Sequence, residues 1–543
     1  MPATHVTRAN PPWWVSVVLS LPAFVPLLAS ILSARARGLV ATWFVQIDQP
    51  SYLAEARQFF DEGFRLLYSN PYGGYDGPRI YFQPHLLLLG WFQQVGLDPG
   101  VTWVVFGLAG TLFAAFVAVR LYSEVVGWQS TAEKIGLICF VWGGGLLTLA
   151  GFGYAAATGK LSVDTVLHFD PGPARGWWRL NFGRNLIYGP TEAYYHAVFL
   201  LAILFLIKRR FNLAIFLAAV LSLSHPFAGL ECCLVVTVYL VIERVLGDRS
   251  VKPAHLAASG AVLCFHLWYY LVFLNQSADH RAMQAQWEQH GIVRGWVYPP
   301  STFVPVLAIV GVFAAIKLWQ LRPRFPQLVE SPQDRLFIVW FLVVFSLTQH
   351  NLVMRPIQPL HFAGGYDWTA LFLLGAPVLV SLLSRLLKIR TWLWRISALA
   401  VLLIFFLSDN LFWLAAFSRP YAVSSDILIT LQQKEILDWL GKTATPPAIV
   451  VTGDELLGYL VSTYSPIRSW AGHGLNTPHS EQRHLESAQA FEENNLLPAW
   501  ASMHIFYIQR SSQDANWKPP TGSKEVFRNA DYVAWEYKPD LPP

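Results

Sequence analysis

Long apolar segments recur along the first three quarters of the chain, separated by shorter polar loops. About twenty apolar residues are needed for a helix to cross the hydrocarbon core of a bilayer, so the pattern predicts about eleven membrane-spanning helices. A short amphipathic segment, Leu86 to Phe92, is predicted to lie along the membrane surface. The predicted spans are 13–32, 101–121, 132–152, 190–207, 211–224, 227–244, 254–274, 301–319, 333–349, 369–385 and 396–416.

One part of this pattern has two interpretations. Residues 211–224 and 227–244 are either two spans or one longer irregular element that is kinked at His225 and Pro226. The exact number of helices in this region therefore stays open.

After residue 418 the apolar runs shorten to strand length and alternate with helical patterns. We predict a membrane domain over 1–418, with a first outer loop at 33–85, and a small C-terminal α/β domain outside the membrane over 419–543. The predicted strands are 448–452, 466–470 and 504–508, the helices are 426–441, 454–464 and 480–494, and a closing hairpin joins 525–528 to 532–537.

Composition supports a polytopic α-helical membrane protein. Hydrophobic residues make up 54% of the 543 and charged residues only 13%, whereas soluble domains carry about 25%. The net charge of +5 comes from basic residues scattered between spans. No basic stripe of the kind that binds nucleic acid is formed. The four cysteines lie in apolar spans without zinc-type spacing, so neither disulfides nor a zinc site are predicted.

Basic residues cluster in alternate loops, which predicts the orientation because Lys and Arg favour the cytoplasmic side. The N-terminus and the Lys208–Arg210 loop are then cytoplasmic, while the first loop and the C-terminal domain face outward. The predicted location is the cytoplasmic (inner) membrane, with multiple passes.

The outward loops carry acids, arginines and aromatic rings together. Arginine forks bind phosphate oxygens, and a carboxylate can accept the proton of a hydroxyl group. This combination suits transfer from a phosphate-bearing donor to a sugar-like acceptor. Predicted substrate-binding residues are Tyr52, Arg57, Arg79, His85, Asp170, Arg179, Arg184, Tyr188, Glu192, His196, His225, Arg355, His361 and Asp367.

Three segments of the first loop resemble the GT-C superfamily of membrane glycosyltransferases, above all bacterial relatives of protein O-mannosyltransferases and aminoarabinose transferases. They are D-Q-P-S-Y-L-A-E-A-R from Asp48, Y-S-N-P-Y from Tyr68 and Y-F-Q-P-H from Tyr81. The segment R-S-W-A-G-H-G-L-N-T-P from Arg468 is similar to a segment in the outer domains of many relatives.

The resemblance implies an enzyme that takes a sugar from a polyprenyl-phosphate carrier and transfers it to a lipid, glycan or protein acceptor. It also implies a catalytic acid in the first outer loop, which is Asp48 here. Gln49 stands where the family often has a second acid, which weakens a metal-binding version of the site. No redox or nucleotide cofactor is implied, and a divalent ion (Mg²⁺ or Mn²⁺) stays open.

Several residues have a second, structural interpretation. Asp48 could cap the helix that begins near Pro50, and Glu55 with Arg57 could form a solvated helix face. The arginines of the second outer loop could be interfacial anchors. His225 could mark a helix break, Glu231 and His266 could bond between helices, and His473 and His479 could stabilise a loop or form a lip over the active site.

Two other functions remain open at this stage. One is a transporter or flippase for a lipid-linked or glycan substrate, and the other is a non-catalytic envelope-assembly protein. Uptake into vesicles would favour the first, and retained function in an Asp48→Ala variant would favour the second.

Overall fold

The computed structural model describes residues 10–167, 179–322, 330–418, 427–492, 500–511 and 517–539. The chain forms two compact units. Unit 1 comprises the described residues of Met1–Leu28, Gly107–Trp268 and Gly291–Ser424. Unit 2 comprises those of Ala29–Phe106, Tyr269–His290 and Ser425–Pro543.

Unit 1 is helical throughout its described part. Residues 13–36 form one long helical segment that continues into unit 2, as does the helix Pro99–Val125. The remaining helices are Thr131–Trp142, Leu147–Ala157, Val163–Leu167, Phe182–Tyr188, Pro190–Ile207, Phe211–Ser224, Pro226–Val245, Pro253–Trp268, Ile292–Gly295, Pro300–Leu321, Pro332–Thr348, His350–Leu352, Pro359–Ala363, Tyr366–Leu387 and Trp392–Phe417.

Close packing of small residues holds the centre of unit 1. Pro300–Leu321 packs against Tyr366–Leu387 at Gly375, where a Cβ atom would lie 2.7 Å from the backbone nitrogen of Ala314. Membrane helices use glycine at such crossings because van der Waals packing replaces the hydrophobic drive that water supplies. Any side chain at position 375 would therefore separate these two helices.

The polytopic membrane protein predicted from the sequence is confirmed, whereas the number of eleven spans is not. Within the described residues, eight helices are long and apolar enough to cross a membrane, or nine if the pair Thr131–Trp142 and Leu147–Ala157, bent by 65°, is one span. Phe211–Ser224 has 14 residues and Pro332–Thr348 has 17. At 1.5 Å per residue they rise only about 21 and 26 Å, short of a 30 Å core.

His225 separates two helices rather than kinking one. Its Nδ1 accepts a hydrogen bond from the backbone N–H of Ala228 and so caps the helix Pro226–Val245. That helix packs against the preceding one, Phe211–Ser224. The imidazole also lies against the ring of Tyr195, with centroids 4.6 Å apart.

Unit 2 contains the predicted α/β arrangement. Short strands β1 (Val40–Ala41) and β2 (Leu428–Ile429) pair with each other. The main sheet contains β3 (Ile449–Thr452), β4 (Arg468–Ser469), β5 (Ile505–Arg510), β6 (Lys524–Arg528) and β7 (Tyr532–Tyr537) in the order β4-β3-β5-β7-β6. The helices are Gln49–Arg57, Pro84–Gln93, Tyr269–Phe273, Leu274–Gln276, Ala278–Gln289, Leu431–Thr443, Glu455–Tyr464 and Ser480–Glu492.

The sheet is mixed. Strand β3 pairs in parallel with β4 and β5, and the hairpin β6–β7 adds to β5 in antiparallel fashion. The three predicted strands and the closing hairpin are confirmed. The predicted helix start at 426 is wrong, because residues 428–429 pair with Val40–Ala41. The helix begins only after Thr430, which forms a capping box with Gln433.

Candidate functional site

Asp48 stands immediately before the helix Gln49–Arg57. Its backbone is helical (φ −79°, ψ −14°) and its side chain makes no capping hydrogen bond to that helix. The carboxylate is instead 46% exposed, and its Oδ2 accepts a hydrogen bond of 2.6 Å from the amide of Gln46. The interpretation of Asp48 as only a helix cap therefore does not fit its geometry.

The second oxygen of Asp48 lies beside a histidine from the C-terminal part of the chain. His473 Nε2 is 3.2 Å from Asp48 Oδ1, and the His473 side chain is almost fully buried, at 7% exposure. A buried imidazole is thus aimed at an accessible carboxylate. This pair is the centre of the candidate site.

Aromatic rings enclose His473. The ring centroid of Tyr459 is 5.1 Å from that of the imidazole, and the centroid of Tyr72 is 6.0 Å away. The Tyr459 hydroxyl donates to the carbonyl of Ile47, one residue before Asp48. Glycine is required at position 472, because a Cβ atom there would lie 2.4 Å from Cδ1 of Tyr72.

Glu55, two helical turns after Asp48, is half-buried rather than solvated. Its Oε2 accepts a hydrogen bond of 3.3 Å from the hydroxyl of Tyr68, and desolvation raises the pKa of Glu55 to about 7. Burial, with the negative charges of Glu55 and Asp48 nearby, also raises the pKa of Tyr72 well above its usual range. The two carboxylates therefore flank one buried phenol.

Arg468 ties the C-terminal segment to the first loop within unit 2. Its guanidinium is buried and donates to the carbonyls of Asn70, Gly73 and Gly74, to Gln58 Oε1 and to Ser69 Oγ. These five hydrogen bonds fix the first loop and the C-terminal segment relative to each other, because the planar guanidinium presents its donors in a rigid geometry. The loop that bears His473 follows directly after this strand.

The other predicted residues of unit 2 make mainly structural contacts. Tyr52 stacks on Trp103, with centroids 5.7 Å apart, and Arg79 pairs with Glu62. Arg57 pairs with Asp61 at 3.1 Å and, like Glu55, is half-buried rather than fully solvated. His85 is buried, and burial lowers its pKa to about 3.

Unit 1 brings together several of the residues predicted from the later loops. Arg179 pairs with Glu192. His196 stacks on Tyr366, with centroids 4.3 Å apart, and its Nε2 lies 2.8 Å from the carbonyl of Gly364. These side chains are therefore engaged with neighbours of the same unit.

His361 and Asp367 are enclosed in the same unit. His361 lies between the rings of Phe227 and Trp296, at 4.6 and 4.9 Å. Asp367 is fully buried at the start of the helix Tyr366–Leu387, and its Oδ1 accepts from the N–H of Trp368.

Arg184 is neither an interfacial anchor nor an exposed phosphate ligand. It is buried 3.8 Å from Asp409 Oδ2, and its guanidinium lies over the ring of Trp413. Asp409 in turn accepts hydrogen bonds from the N–H groups of Gly145 and Thr148. The prediction overlooked Asp409, although an acid inside the apolar run 396–416 was itself a signal.

Three predicted residues contribute little to this picture. Asp170 lies outside the described residues, as does the side chain of Tyr188. Arg355 is exposed in the segment that follows the helix His350–Leu352.

The residues around Asp48 offer few protein ligands for a divalent ion, and an ion there stays a prediction. Within the described ranges, no group of three or more His, Cys, Asp or Glu side chains is arranged so that it could hold a metal ion. Asp48 and His473 offer two ligands, fewer than the three protein ligands of a catalytic zinc site, whereas Mg²⁺ can bind through one or two carboxylates with water and substrate oxygens.

The sequence predicts Asp48 as the catalytic residue but does not predict that His473 contacts it or that Glu55 is half-buried on the same helix. The G-H-G-L-N-T-P letters were the available signal for His473, since a histidine between two glycines marks a tightly built loop. Glu55 had no comparable signal, because its burial depends on Tyr68 folding back over the helix.

A scan against protein-family models and a search of curated proteins gave no match. Among solved structures, the chain is similar to an oligosaccharyltransferase from Archaeoglobus fulgidus in complex with Zn and sulfate. That similarity has 12% identity, a TM-score of 0.46, and covers 91% of this chain and 68% of the other.

The chain is also similar to ArnT from Cupriavidus metallidurans. The apo structure aligns with 13% identity and a TM-score of 0.48 over 96% of this chain and 97% of the other. The structure bound to undecaprenyl phosphate aligns with 13% identity and a TM-score of 0.45 over 96% and 98%. Identities this low do not transfer an activity from one chain to another.

Proposed function

We propose that this integral membrane protein is a glycosyltransferase that moves a sugar from a polyprenyl-phosphate carrier to an acceptor hydroxyl, with Asp48 as general base. The observation that supports this proposal most strongly is the geometry of Asp48. Its carboxylate is accessible, makes no capping bond to its own helix and is held by Gln46 and His473. A carboxylate fixed in this way has an oxygen available to accept a substrate proton.

The proposed reaction replaces the bond between the anomeric carbon and phosphate by a bond between that carbon and the acceptor oxygen. The acceptor hydroxyl loses its proton to Asp48 while its oxygen attacks the anomeric carbon. The bond between that carbon and the phosphate oxygen breaks, and polyprenyl phosphate leaves with the electron pair. The proton then passes from Asp48 to solvent. Phosphate needs no acid to leave when cations stabilise its charge.

The cellular setting in this proposal follows from the basic loops. The protein lies in the cytoplasmic (inner) membrane, its N-terminus is cytoplasmic, and residues 419–543 form an extracytoplasmic domain. The donor is then a lipid-linked sugar of the outer leaflet. The acceptor is a lipid, glycan or protein of the cell envelope. The resemblance of the first loop to GT-C glycosyltransferases supports this assignment.

Mass spectrometry of lipid-linked and cell-surface glycans tests the proposal. Cells with and without this protein are compared. One readout is a glycan that lacks one sugar residue, and the other is the amount of polyprenyl-phosphate sugar. Both changes are expected when the protein is absent. Identical glycan profiles at confirmed protein production would contradict a transferase.

A transporter is the second candidate, and one observation favours it. Glu231 lies in the span Pro226–Val245 with its side chain fully buried, and neither carboxylate oxygen has a hydrogen-bond partner among the described residues. Buried acids inside membrane spans often mark substrate or proton pathways. Movement of a lipid-linked sugar across reconstituted vesicles, lost in Glu231→Gln and unaffected by Asp48→Asn, would favour transport.

A further inference from the structure

We propose that His473 is the positioning residue of Asp48, which it orients and keeps ionised by a neutral imidazole N–H. This inference rests on the proposed role of Asp48 and adds a second residue to that site, from a segment 425 positions away in the chain. It assigns the C-terminal part of the chain a direct function in the reaction, through the loop 473–476.

The hydrogen bonds of the imidazole determine its tautomer. The backbone N–H groups of Leu475 and Asn476 both point at His473 Nδ1, each at 3.1 Å. A nitrogen that accepts from two donors carries no proton, so the ring proton is on Nε2. Nε2 is the atom 3.2 Å from Asp48 Oδ1, and it therefore donates to the carboxylate.

The same arrangement excludes His473 as a proton relay. A relay would pass the proton of Asp48 through the ring and out at Nδ1, which requires Nδ1 to bind a proton. A proton there would face two N–H groups instead of two acceptors. His473 can therefore donate to Asp48 but cannot carry its proton away. Asp48 must exchange protons with substrate and solvent through its exposed side.

The loop that holds the imidazole is itself fixed at three successive carbonyls. Gln286 Nε2 donates to the carbonyl of Gly474, Trp287 Nε1 to that of Leu475, and Asn70 Nδ2 to that of Asn476, at 2.7, 2.7 and 2.8 Å. Each peptide of the loop is thus bonded on its carbonyl side, and two residues also donate their N–H groups to His473. Such outer contacts keep a functional group in its productive orientation.

A purely loop-stabilising histidine would need only the two bonds at Nδ1. The second nitrogen could then face solvent or a carbonyl. In this structure it faces Asp48, the acid that the sequence predicts as catalytic. A hydrogen bond to the charged form of an acid favours that form, so the contact with Nε2 has an electrostatic effect on Asp48 that loop stabilisation does not require.

The test measures the ionisation of Asp48 directly and needs no substrate. Dicyclohexylcarbodiimide, a hydrophobic carbodiimide, modifies protonated carboxyl groups, and mass spectrometry quantifies the adduct on the peptide that contains Asp48. Labelling rate against pH is compared for the full-length protein, His473→Ala and His473→Gln. Asp48→Asn verifies the labelled position, and His484→Gln, at a half-exposed position of the helix Ser480–Glu492, is the matched control.

Loss of the Nε2 donor should move the labelling curve of His473→Ala to higher pH by about one unit, a tenfold rate change at fixed pH. His473→Gln, which keeps an N–H donor, should restore part of that shift, and His484→Gln should match the wild type. Coincident curves for the wild type, His473→Ala and His473→Gln would overturn the inference. If His473→Ala does not fold, His473→Leu, which also lacks an N–H donor, takes its place, and a labelling curve for that variant identical to the wild-type curve would overturn the inference.

These results separate the inference from the proposed function. If Asp48→Asn abolishes transfer but the labelling curves coincide, Asp48 is the base and His473 is not its positioning residue. If Asp48→Asn retains transfer, the proposed function itself fails, whatever the labelling curves show.

Discussion

At the scale of single residues, the site contains two carboxylates near one helix that have different surroundings. Asp48 stands at the helix start, accessible to solvent and held by two hydrogen-bond donors. Glu55 lies on the same helix, half-buried, with the Tyr68 hydroxyl as its partner. Pairs of carboxylates whose surroundings separate their pKa values commonly divide acid and base roles. Here burial raises the pKa of Glu55 to about 7, whereas Asp48 is accessible to solvent.

Glu55 makes the stability of the protein depend on pH. Its pKa is about 7 in the folded protein and close to the ordinary value near 4.5 in the unfolded chain, so the folded state binds more protons between these values. Stability then falls as pH rises through this window. The effect is at most about 3 kcal/mol, at 1.36 kcal/mol per pKa unit, and smaller to the extent that water reaches the carboxyl.

We predict that Glu55→Gln removes this loss of stability at higher pH. Thermal unfolding in detergent should show an advantage of the variant over the wild type that grows from pH 5 to pH 8. Glu481→Gln, a change at a side chain 80% exposed, should show no such trend. A constant difference between Glu55→Gln and the wild type across this range would mean that Glu55 titrates as an ordinary surface acid.

At the scale of elements, the C-terminal segment was predictable because its signals are local. Runs of buried strand residues and the capping box at Thr430 lie within a few positions of the elements they define. The pair β1–β2 was not predictable, because two strands of two residues each are stabilised only by meeting each other across the chain. The same holds for the contact of Asp48 with His473.

The loop after β4 is predicted to tolerate little change on one side of His473 and more on the other. Gly472→Ala places a Cβ atom 2.4 Å from the Tyr72 ring, whereas nothing lies within 4 Å of a Cβ atom at Gly474. Gly472→Ala should therefore displace His473 and lower glycan transfer by about 10- to 100-fold, as for the loss of other outer contacts. Gly474→Ala should remain near the wild type.

A double variant checks whether the contact with Tyr72 causes the loss of transfer in Gly472→Ala. Adding Tyr72→Leu to Gly472→Ala removes the clashing ring edge and should recover part of the lost transfer, because substitutions at residues in contact are not additive. Equal effects of Gly472→Ala and Gly474→Ala would show that loop flexibility, rather than the contact with Tyr72, determines the outcome.

At the scale of the whole molecule, membrane character was predictable from hydropathy, and the number of spans was not. Hydropathy locates the apolar segments, but Phe211–Ser224 and Pro332–Thr348 are shorter than a span once their helix ends are known. Residues 29–106 also belong to the same compact unit as the C-terminal part, largely through partners such as Arg468 and Asn70 that no local pattern joins. The boundary between 418 and 419 stays a prediction.

Orientation is a prediction of the basic loops and is tested by labelling. In a background without the four native cysteines, Asn212→Cys and Ala530→Cys introduce thiols at exposed positions and leave every basic residue in place. An impermeant maleimide should label position 530 in intact cells and position 212 only after permeabilisation. The opposite pattern would invert the predicted topology and remove the outer face as the place of transfer.

The most direct test of the account is glycan transfer by Asp48→Asn. Asn caps helices about as well as Asp, and the Asp48 side chain makes no capping bond here, so the protein should fold. Cells that carry the variant in place of the wild type are compared by mass spectrometry for the modified glycan at equal protein levels.

The matched control is Asp76→Asn, the same change at an exposed position of the first loop. General-base assistance contributes about 10²- to 10⁴-fold, so the account predicts at least a roughly hundredfold loss of product for Asp48→Asn, accumulation of the polyprenyl-phosphate sugar, and normal transfer for Asp76→Asn. Transfer by Asp48→Asn within a few-fold of the wild type would contradict it.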